Sequence, residues 1–342
     1  MENLRNLLPE ELEELLSELG EPRYRAKQVF KWLGRGIGDI DDMSDIPKSL
    51  REKLKENYTL YRPKVLSKQV SKLDGTIKYL WELSDGNAVE TVVMSYKHGN
   101  TVCVSTQVGC RQGCAFCAST IGGLVRGLEA REILEEVMFS QLDSGRTISN
   151  IVLMGIGEPL DNFDNVVRFL KLVNSPDGMN IGMRHISLST CGLTEMFDKL
   201  ADLNLQLTLS VSLHAPDDET RSKIMPANHG RGVEQLMECC KRYYERTGRR
   251  ISFEYIMIDG VNDTEYHAQL LAKRAKYVSA HVNLIPMNHV EESRFHPSTQ
   301  GHIKAFVKVL EENGVNVTVR RKLGGDVDAS CGQLRRKMQK DK

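Results

Sequence analysis

Strand-like and helix-like runs alternate along most of the chain, and this alternation limits the possible folds more than any single motif. Six strand-like runs cover residues 102–108, 150–154, 185–190, 206–213, 251–258 and 282–285. Six helix-like runs cover residues 129–142, 162–173, 193–203, 233–247, 264–278 and 299–313. This order is typical of a parallel sheet whose strands are joined by crossover helices. A last strand is predicted at 315–320. Because a closed barrel needs eight strand–helix pairs, we predict an α/β fold with an open, partial (β/α)6 barrel.

The first hundred residues have a different pattern. Residues 1–60 place leucines at helical spacing opposite glutamates and continue with two shorter helical runs, one with a basic side. Such a module could bind RNA or could simply pack on the core. Residues 61–100 hold three strand-like runs separated by the turn signals Asp74-Gly75 and Asp85-Gly86. We therefore predict an N-terminal helical module at 1–60, a short antiparallel β extension at 61–100, a core at 101–320 and a C-terminal segment at 321–342.

Composition narrows the class of protein. The 342 residues have zero formal net charge, so no global field draws the chain to nucleic acid, but from Thr318 onward eight bases stand against three acids. A basic tail suits RNA, although a solvated terminus has the same composition. The sequence shows no signal-peptide pattern and no apolar run long enough to span a membrane. Eight cysteines, three of them clustered, fit a reducing compartment. We expect a cytoplasmic protein with no membrane contact.

Three cysteines lie within eight residues, directly after the first predicted strand of the core. They are Cys110, Cys114 and Cys117, in a C-x₃-C-x₂-C spacing with Gly109 and Gly113 supplying backbone freedom. Three thiolates on a four-iron cluster would leave one iron open to a substrate or cofactor, since such clusters normally have four protein ligands. The alternatives are three reduced cysteines in a turn, or a zinc site completed by a distant histidine.

Small and polar residues follow the other predicted strands. They occur at 155–159, 189–192, 212–214 and 286–288. In parallel sheets with crossover helices, ligands bind at the carboxyl ends of the strands. The sequence therefore predicts one site, formed by the cysteine loop and these polar loops together.

Longer motifs carry a resemblance to a known family. They are PRYRAKQVF at 22–30, GNTVCVSTQVG at 99–109, the cysteine triad, and DASCGQL at 328–334. On these motifs the chain resembles RlmN-type dual-specificity RNA methyltransferases of the radical S-adenosylmethionine (SAM) superfamily, over nearly its whole length. The resemblance implies that residues 101–320 form a radical SAM core and that residues 1–60 bind RNA.

The resemblance also implies the cofactors and their ligands. Cys110, Cys114 and Cys117 would hold one 4Fe-4S cluster, with SAM on its open iron and two SAM molecules used per turnover. The residues implied to hold SAM are Gly157, Glu158, Ser189, Ser212, Leu213, His214 and Asn288. An electron donor such as flavodoxin or ferredoxin would serve as a partner.

The implied reaction is methylation at C2 of an adenosine in the peptidyl transferase centre of 23S rRNA and of an anticodon-adjacent adenosine in tRNA. Cys331 would accept a methyl group, and the carbon derived from it would bond to the adenine. Glu90 would take the ring proton, and Cys103 would release the product by forming a disulfide with Cys331. Because adenine C2 is electron-poor, polar methyl transfer from SAM would fail there, and the cofactor has to supply radical chemistry.

Two other functions stay open on the sequence alone. A Cfr-like enzyme would methylate adenine C8 and confer resistance to ribosome-directed antibiotics. Pro159 and Pro286 favour the RlmN type over the Cfr type. The second alternative is a non-catalytic iron–sulfur protein that binds RNA, against which Glu158, Ser212 and Asn288 argue as implied SAM ligands.

Overall fold

The computed structural model of the protein describes residues 1–287, 294–321 and 323–327. The chain begins with three helices bordered by two short paired strands: β1 (Glu2–Asn3), α1 (Pro9–Glu18), α2 (Tyr24–Gly34), α3 (Lys48–Asn57) and β2 (Tyr58–Thr59). Arg5 fastens this helical module to the core. Its fully buried guanidinium lies 3.1 Å from the Glu135 carboxylate and donates to the Tyr61 carbonyl at 2.7 Å. The predicted N-terminal helices are therefore present and packed against the rest of the chain.

Four antiparallel strands follow: β3 (Lys64–Val70), β4 (Ile77–Glu82), β5 (Ala88–Tyr96) and β6 (Gly99–Cys103). The turns between the first three contain Gly75 and Gly86, whose φ angles of 72° and 80° suit glycine. β6 pairs antiparallel with β5 on one side and parallel with a core strand on the other. The predicted β extension thus continues directly into the core sheet, and β6 spans the boundary predicted at residue 101.

The prediction of one strand over 102–108 is wrong. After β6 the chain leaves the main sheet, and β7 (Gln107–Gly109) pairs instead with β8 (Leu124–Gly127). Between β6 and β7, the Ser105 N–H donates to the Glu136 carboxylate at 3.0 Å and the Thr106 N–H to the Ile156 carbonyl at 2.8 Å. These contacts with distant residues turn the backbone away from the sheet, and local sequence does not show them.

The core then alternates strands and helices as predicted. Its elements are α4 (Ala130–Ser144), β9 (Ile148–Leu153), α5 (Phe163–Asn174), β10 (Ile186–Thr190), α6 (Phe197–Asp202), β11 (Thr208–Ser212), α7 (Asp218–Ile224), α8 (Val233–Thr247), β12 (Ser252–Met257), α9 (Glu265–Val278), β13 (His281–Pro286), α10 (Gln300–Glu312) and β14 (Val317–Val319). Two elements were not predicted from the sequence, β8 and α7, which begins after the Asp217 cap.

Within the described residues, ten strands form one sheet in the order β14-β13-β12-β11-β10-β9-β6-β5-β4-β3. From β6 to β14 every neighbouring pair is parallel, and from β6 to β3 every pair is antiparallel. The predicted α/β fold with a partial (β/α)6 barrel is confirmed. Among the described helices, none is both long enough and apolar enough to cross a membrane.

The antiparallel strands have two different faces. On the outer face, which packs against α4, Tyr79 donates to Asp143 at 2.7 Å and Thr91 donates to Glu136 at 2.5 Å. Because side chains alternate along a strand, their neighbours point the other way. We call this opposite side the inner face. It carries Lys78, Glu90, Val92, Met94 and Cys103.

Candidate active site

The cysteine loop begins where β7 ends and folds back on itself. Its backbone is fixed by three hydrogen bonds, from the Cys110 N–H to Gly123 O at 3.0 Å, from Ala115 to Ile224 at 2.9 Å and from Cys117 to Cys114 at 3.0 Å. Gly109 and Gly113 have φ angles of 82° and 71°, as a loop that wraps this tightly requires. Cys110 is buried, whereas Cys114 and Cys117 are half-buried. The loop therefore gathers its three thiols at one place.

Three thiols are a ligand set that fits a 4Fe-4S cluster with one iron left open, whereas a structural zinc site takes four protein ligands. Burial raises the pKa of Cys110 to about 12 and raises that of Cys114 further. Iron binding must therefore release protons from these thiols.

The loop after β9 lies directly against the chain that leads into the cysteine loop. A Cβ atom at Gly155 would be 2.5 Å from the Val104 carbonyl oxygen, and one at Gly157 would be 2.6 Å from the Gln107 side chain. Gly157 also has a φ angle of 111°, which other residues rarely adopt. These two glycines are required for the close approach of the two loops.

Glu158 ties neighbouring loops together. Its carboxylate is buried and accepts hydrogen bonds from the Leu160 N–H at 3.0 Å and the Cys191 N–H at 2.7 Å. Burial raises the pKa of Glu158, and these hydrogen bonds act in the opposite direction. Each carboxylate oxygen can accept more than one hydrogen bond, so these contacts leave capacity for a ligand donor. Glu158 thus braces the loops after β9 and β10 and can still contact a cofactor.

Two serines and a histidine come from β10 and β11. The hydroxyls of Ser189 and Ser212 are 3.3 Å apart, and both residues are half-buried. His214 is buried, with its ring edge-on to Phe116 at 5.0 Å between centroids. Burial lowers the pKa of His214 to about 3, with a smaller contribution from Arg221. His214 is therefore neutral, and since its Nδ1 accepts from the Ile256 N–H at 3.1 Å, the ring proton lies on Nε2.

Leu213 contributes to this site through its backbone. Its side chain is fully buried, its N–H donates to the Glu254 carbonyl at 3.1 Å, and its carbonyl accepts from Arg221 Nε at 3.0 Å. Both backbone groups of Leu213 already have partners, so its predicted role in cofactor binding rests on van der Waals contact and on the placement of Ser212 and His214.

Arg221 was not predicted from the sequence, because nothing in its own segment distinguishes it and α7 was missed. It is buried and donates to the carbonyls of Leu213 at 3.0 Å, Cys191 at 2.6 Å and Ser212 at 3.2 Å, and to Asn228 Oδ1 at 2.8 Å. Burial lowers the pKa of Arg221, and the nearby thiols oppose that shift. One guanidinium thus organises the loops after β10 and β11 and adds a positive charge beside the cysteine loop.

The inner face of the antiparallel strands brings three further functional groups together. Lys78 Nζ lies 2.9 Å from the Glu90 carboxylate, and both side chains are buried. Cys103 is buried and packs with Val92 and Met94. Glu90, predicted as a proton acceptor, and Cys103, predicted as a nucleophile, therefore lie on neighbouring strands and face the same side. Lys78 was not predicted from the sequence as their neighbour.

The start of the C-terminal segment docks on the same strands. Asp326 accepts from the Ser71 hydroxyl at 2.5 Å and from the Lys72 N–H at 2.7 Å, and the Gly324 N–H donates to Asp74 at 2.8 Å. Leu323 packs against the cluster that contains Cys103. Two predicted site residues, Asn288 and Cys331, lie outside the described residues.

Comparison with known proteins agrees with this geometry. Residues 104–271 match the radical SAM superfamily, and residues 2–60 match the ribosomal RNA large subunit methyltransferase N-terminal domain. A probable dual-specificity RNA methyltransferase RlmN of Clostridium novyi (strain NT) is 48% identical over 337 residues, 98% of each chain. Its counterpart in Thermoanaerobacter sp. (strain X514) is 50% identical over 343 residues, 100% of each chain. The crystal structure of a radical SAM methyltransferase from Sphaerobacter thermophilus has 41% identity and a TM-score of 0.92, covering 97% of this chain and 99% of that one.

Proposed function

The chain belongs to the RlmN family of radical SAM RNA methyltransferases, and we propose that it methylates C2 of adenosine. Its substrates would be an adenosine of 23S rRNA in the peptidyl transferase centre and an anticodon-adjacent adenosine of tRNA. The target base has to leave its stack to reach the site. The helical module at 1–60 and the basic C-terminal segment are the candidate RNA contacts, and binding through phosphates would weaken with salt.

The observation that carries the proposal is the inner face of the antiparallel strands. A carboxylate, Glu90, and a thiol, Cys103, face one side, and the segment that leads to Cys331 begins there with Leu323 against the cluster that contains Cys103. Proton removal and thiol attack on a sulfur need these two group types beside the methyl-carrying cysteine. A protein that only binds RNA has no use for this combination.

The cofactor site would lie at the loops after β7, β9, β10 and β11. Cys110, Cys114 and Cys117 would hold a 4Fe-4S cluster, which when bound supplies the electron that cleaves SAM to a radical. The amino and carboxylate groups of SAM would contact Gly157, Glu158, Ser189 and Ser212, with His214 donating through Nε2 and Leu213 and Asn288 completing the site. The neutral His214 can donate a hydrogen bond without adding charge.

The chain's own residues would perform the remaining steps. The Cys331 thiolate would take the methyl group from one SAM, with S-adenosylhomocysteine as the leaving group, and a second SAM would be used to activate that methyl group, so each turnover consumes two. Once the methyl carbon is bonded to C2, Glu90 accepts the C2 proton, and the one unpaired electron of the adduct would return to the iron–sulfur cofactor. Cys103 then attacks the Cys331 sulfur, which breaks the sulfur–carbon bond and forms a Cys103–Cys331 disulfide, while the carbon takes a proton to become methyl. A reduced flavodoxin or ferredoxin in the cytoplasm would supply electrons.

The decisive experiment is mass spectrometry of nucleosides. Anaerobically reconstituted protein is incubated with SAM, a reductant and either 23S rRNA fragments or tRNA, and the RNA is then digested. We expect 2-methyladenosine from both RNAs. Only 8-methyladenosine would instead show a Cfr-like enzyme, and a full cluster that yields no 5′-deoxyadenosine would contradict radical SAM chemistry altogether.

A further inference from the structure

Lys78 and Glu90 form a buried ion pair on the inner face. The Lys78 side chain is 0% exposed and that of Glu90 is 3% exposed, with 2.9 Å between Nζ and Oε2. Lysine is among the residues least often fully buried, and when it is buried it is paired. The pair crosses from β4 to β5, where Leu80 lies opposite Glu90 and Lys78 lies opposite Val92. Lys78 therefore reaches Glu90 along the diagonal between the strands.

The fold by itself does not require this pair. The inner-face positions around it are apolar, with Leu80, Val92 and Met94 all buried. Replacing a buried ion pair by apolar side chains of similar volume is often neutral or stabilising, because the charges lose their hydration. An apolar pair would fill this part of the sheet as well. Packing does not explain why two charged residues occupy these positions, whereas a role of the charges in the reaction does.

The pair also lies beside the proposed nucleophile. Val92 lies opposite Lys78 in β4 and opposite Cys103 in β6, so the lysine and the cysteine flank one residue on the same face. An ammonium group can donate three hydrogen bonds, and a hydrogen bond between charged partners is stronger than one between neutral groups. Lys78 thus fixes where the Glu90 carboxylate lies with respect to Cys103.

We propose that Lys78 is a positioning residue for the methyl transfer, holding the Glu90 carboxylate on the inner face where it takes the proton from adenine C2. This inference rests on the proposed function. In that step the C2–H bond breaks, the proton goes to a Glu90 oxygen, and the electron pair of the bond stays with the purine ring. Lys78 takes no part in this proton transfer and does not touch the base.

The test compares Lys78→Met with wild type under single-turnover and steady-state conditions. We expect kcat for 2-methyladenosine formation to fall about 100-fold, the scale of a lost general base. KM for RNA, methylation of Cys331 and iron content should stay within about threefold of wild type. Lys78→Arg keeps the cation and should recover at least about tenfold of the lost rate. RNA should accumulate covalently bound to the Lys78→Met protein, visible on a denaturing gel.

A matched control is Lys68→Met. Lys68, in β3, also pairs with a carboxylate, at 2.6 Å from Asp143 of α4, but this pair is half-exposed and lies on the outer side. Its removal should leave kcat within about twofold of wild type, since exposed ion pairs contribute little. An equal loss in Lys68→Met and Lys78→Met would overturn the proposal.

A double-mutant cycle keeps the test valid if Lys78→Met folds poorly. Glu90→Gln already lacks the carboxylate, so adding Lys78→Met should reduce kcat no further if Lys78 acts through Glu90. Two results would each show that Lys78 has no positioning role. One is a fold-reduction in kcat of the double variant equal to the product of the two single-variant reductions, and the other is a normal kcat in Lys78→Met. The wild-type protein in the same assay tests the proposed function separately. If the wild type forms no 2-methyladenosine, the proposed function itself is contradicted, whatever the variants do.

Discussion

The two halves of the sheet present functional groups in different ways. In the parallel half, from β9 to β13, the candidate ligands come from the carboxyl ends of the strands and from the loops that follow them, as Ser212 and His214 do. In the antiparallel half, Lys78, Glu90 and Cys103 lie within or at the end of strands and project from one face. A loop can change without moving the sheet, whereas a one-residue slip of a strand would turn all its inner-face side chains outward. The inner-face residues of the antiparallel half therefore depend on strand register more strongly than the loop residues of the parallel half do.

The largest expected effect comes from removing a thiol of the cysteine loop. Cys114→Ala should lose the iron–sulfur cluster, because two thiolates cannot hold it, and 5′-deoxyadenosine formation should fall to background. Methylation of Cys331 and of RNA should fall with it. Iron analysis and chromatography of the SAM products measure this. Cys239→Ala is the matched control, a buried cysteine in α8 that should retain iron; equal loss in both variants would contradict the assignment.

The corresponding change on the inner face should stop only the last step. Cys103→Ala should still form 5′-deoxyadenosine and methylate Cys331, because the cysteine loop is untouched. Free methylated RNA should fall about 100-fold or more for lack of the attacking thiol, and RNA should remain covalently attached to the protein on a denaturing gel. Release of free product at the wild-type rate would show that Cys103 does not take part in the reaction. It would also contradict the proposal that the antiparallel half carries the residues that react with the RNA.

A third change tests how the loops of the parallel half are held. Arg221→Met removes donors from buried carbonyls of Leu213, Cys191 and Ser212. A buried polar group left unpaired costs about 1–3 kcal/mol, so we expect the free energy of unfolding to fall by about 3 kcal/mol or more. Urea denaturation of the apoprotein measures this. Arg242→Met, at a half-exposed ion pair with Asp198, should change it by less than about 1 kcal/mol.

The smallest expected effect is a change in stability at Glu136 of α4, which accepts a hydrogen bond from Thr91 on the outer face. Burial raises the pKa of Glu136 well above its ordinary value of 4.5, and its Oε1 is buried without a hydrogen-bond partner. The folded protein thus keeps a proton that the unfolded chain loses above about pH 4.5, so this group's contribution to stability declines as pH rises toward its folded pKa.

Glu136→Gln keeps acceptors for Thr91 and Ser105 and removes that decline. Its melting temperature should exceed that of wild type at pH 8 and match it near pH 5. The free energy of unfolding should gain about 1.4 kcal/mol for each unit by which the pKa of Glu136 is raised. Methyl transfer should be unchanged, because the outer face carries no reacting group. The same difference at both pH values would contradict the assigned cause.

The parallel half could be predicted well from the sequence. The helix predicted at 233–247 is α8 (Val233–Thr247) without adjustment, and the polar segments predicted at 155–159, 189–192 and 212–214 do contact one another. Amphipathic helices and buried strands show their periodicity locally, so their order follows from the chain. The strand predicted at 102–108 was wrong because its break depends on Glu136 and Ile156, which are distant in sequence.

The antiparallel half shows where sequence reasoning ends. Glu90 and Cys103 were named through family resemblance alone, since a single glutamate or cysteine in a strand is not diagnostic. Their partner Lys78 emerges only from the pairing of β4 with β5, which brings residues from separate strands to one face. Arg221 was missed for a similar reason, because only its contacts with carbonyls that are distant in sequence distinguish it from other arginines. Residues defined by long-range contacts can be identified only from the structure.

The docking of Asp326 on the turn between β3 and β4 limits how far Cys331, the proposed methyl acceptor, can lie from that turn. Only five peptide units separate Asp326 from Cys331, and a fully extended chain of that length reaches about 18 Å. The length of this segment alone corresponds to an effective concentration of millimolar or more for a group at residue 331 near that turn. Glycines inserted between Asp326 and Cys331 would lower this effective concentration without altering any residue that is proposed to react.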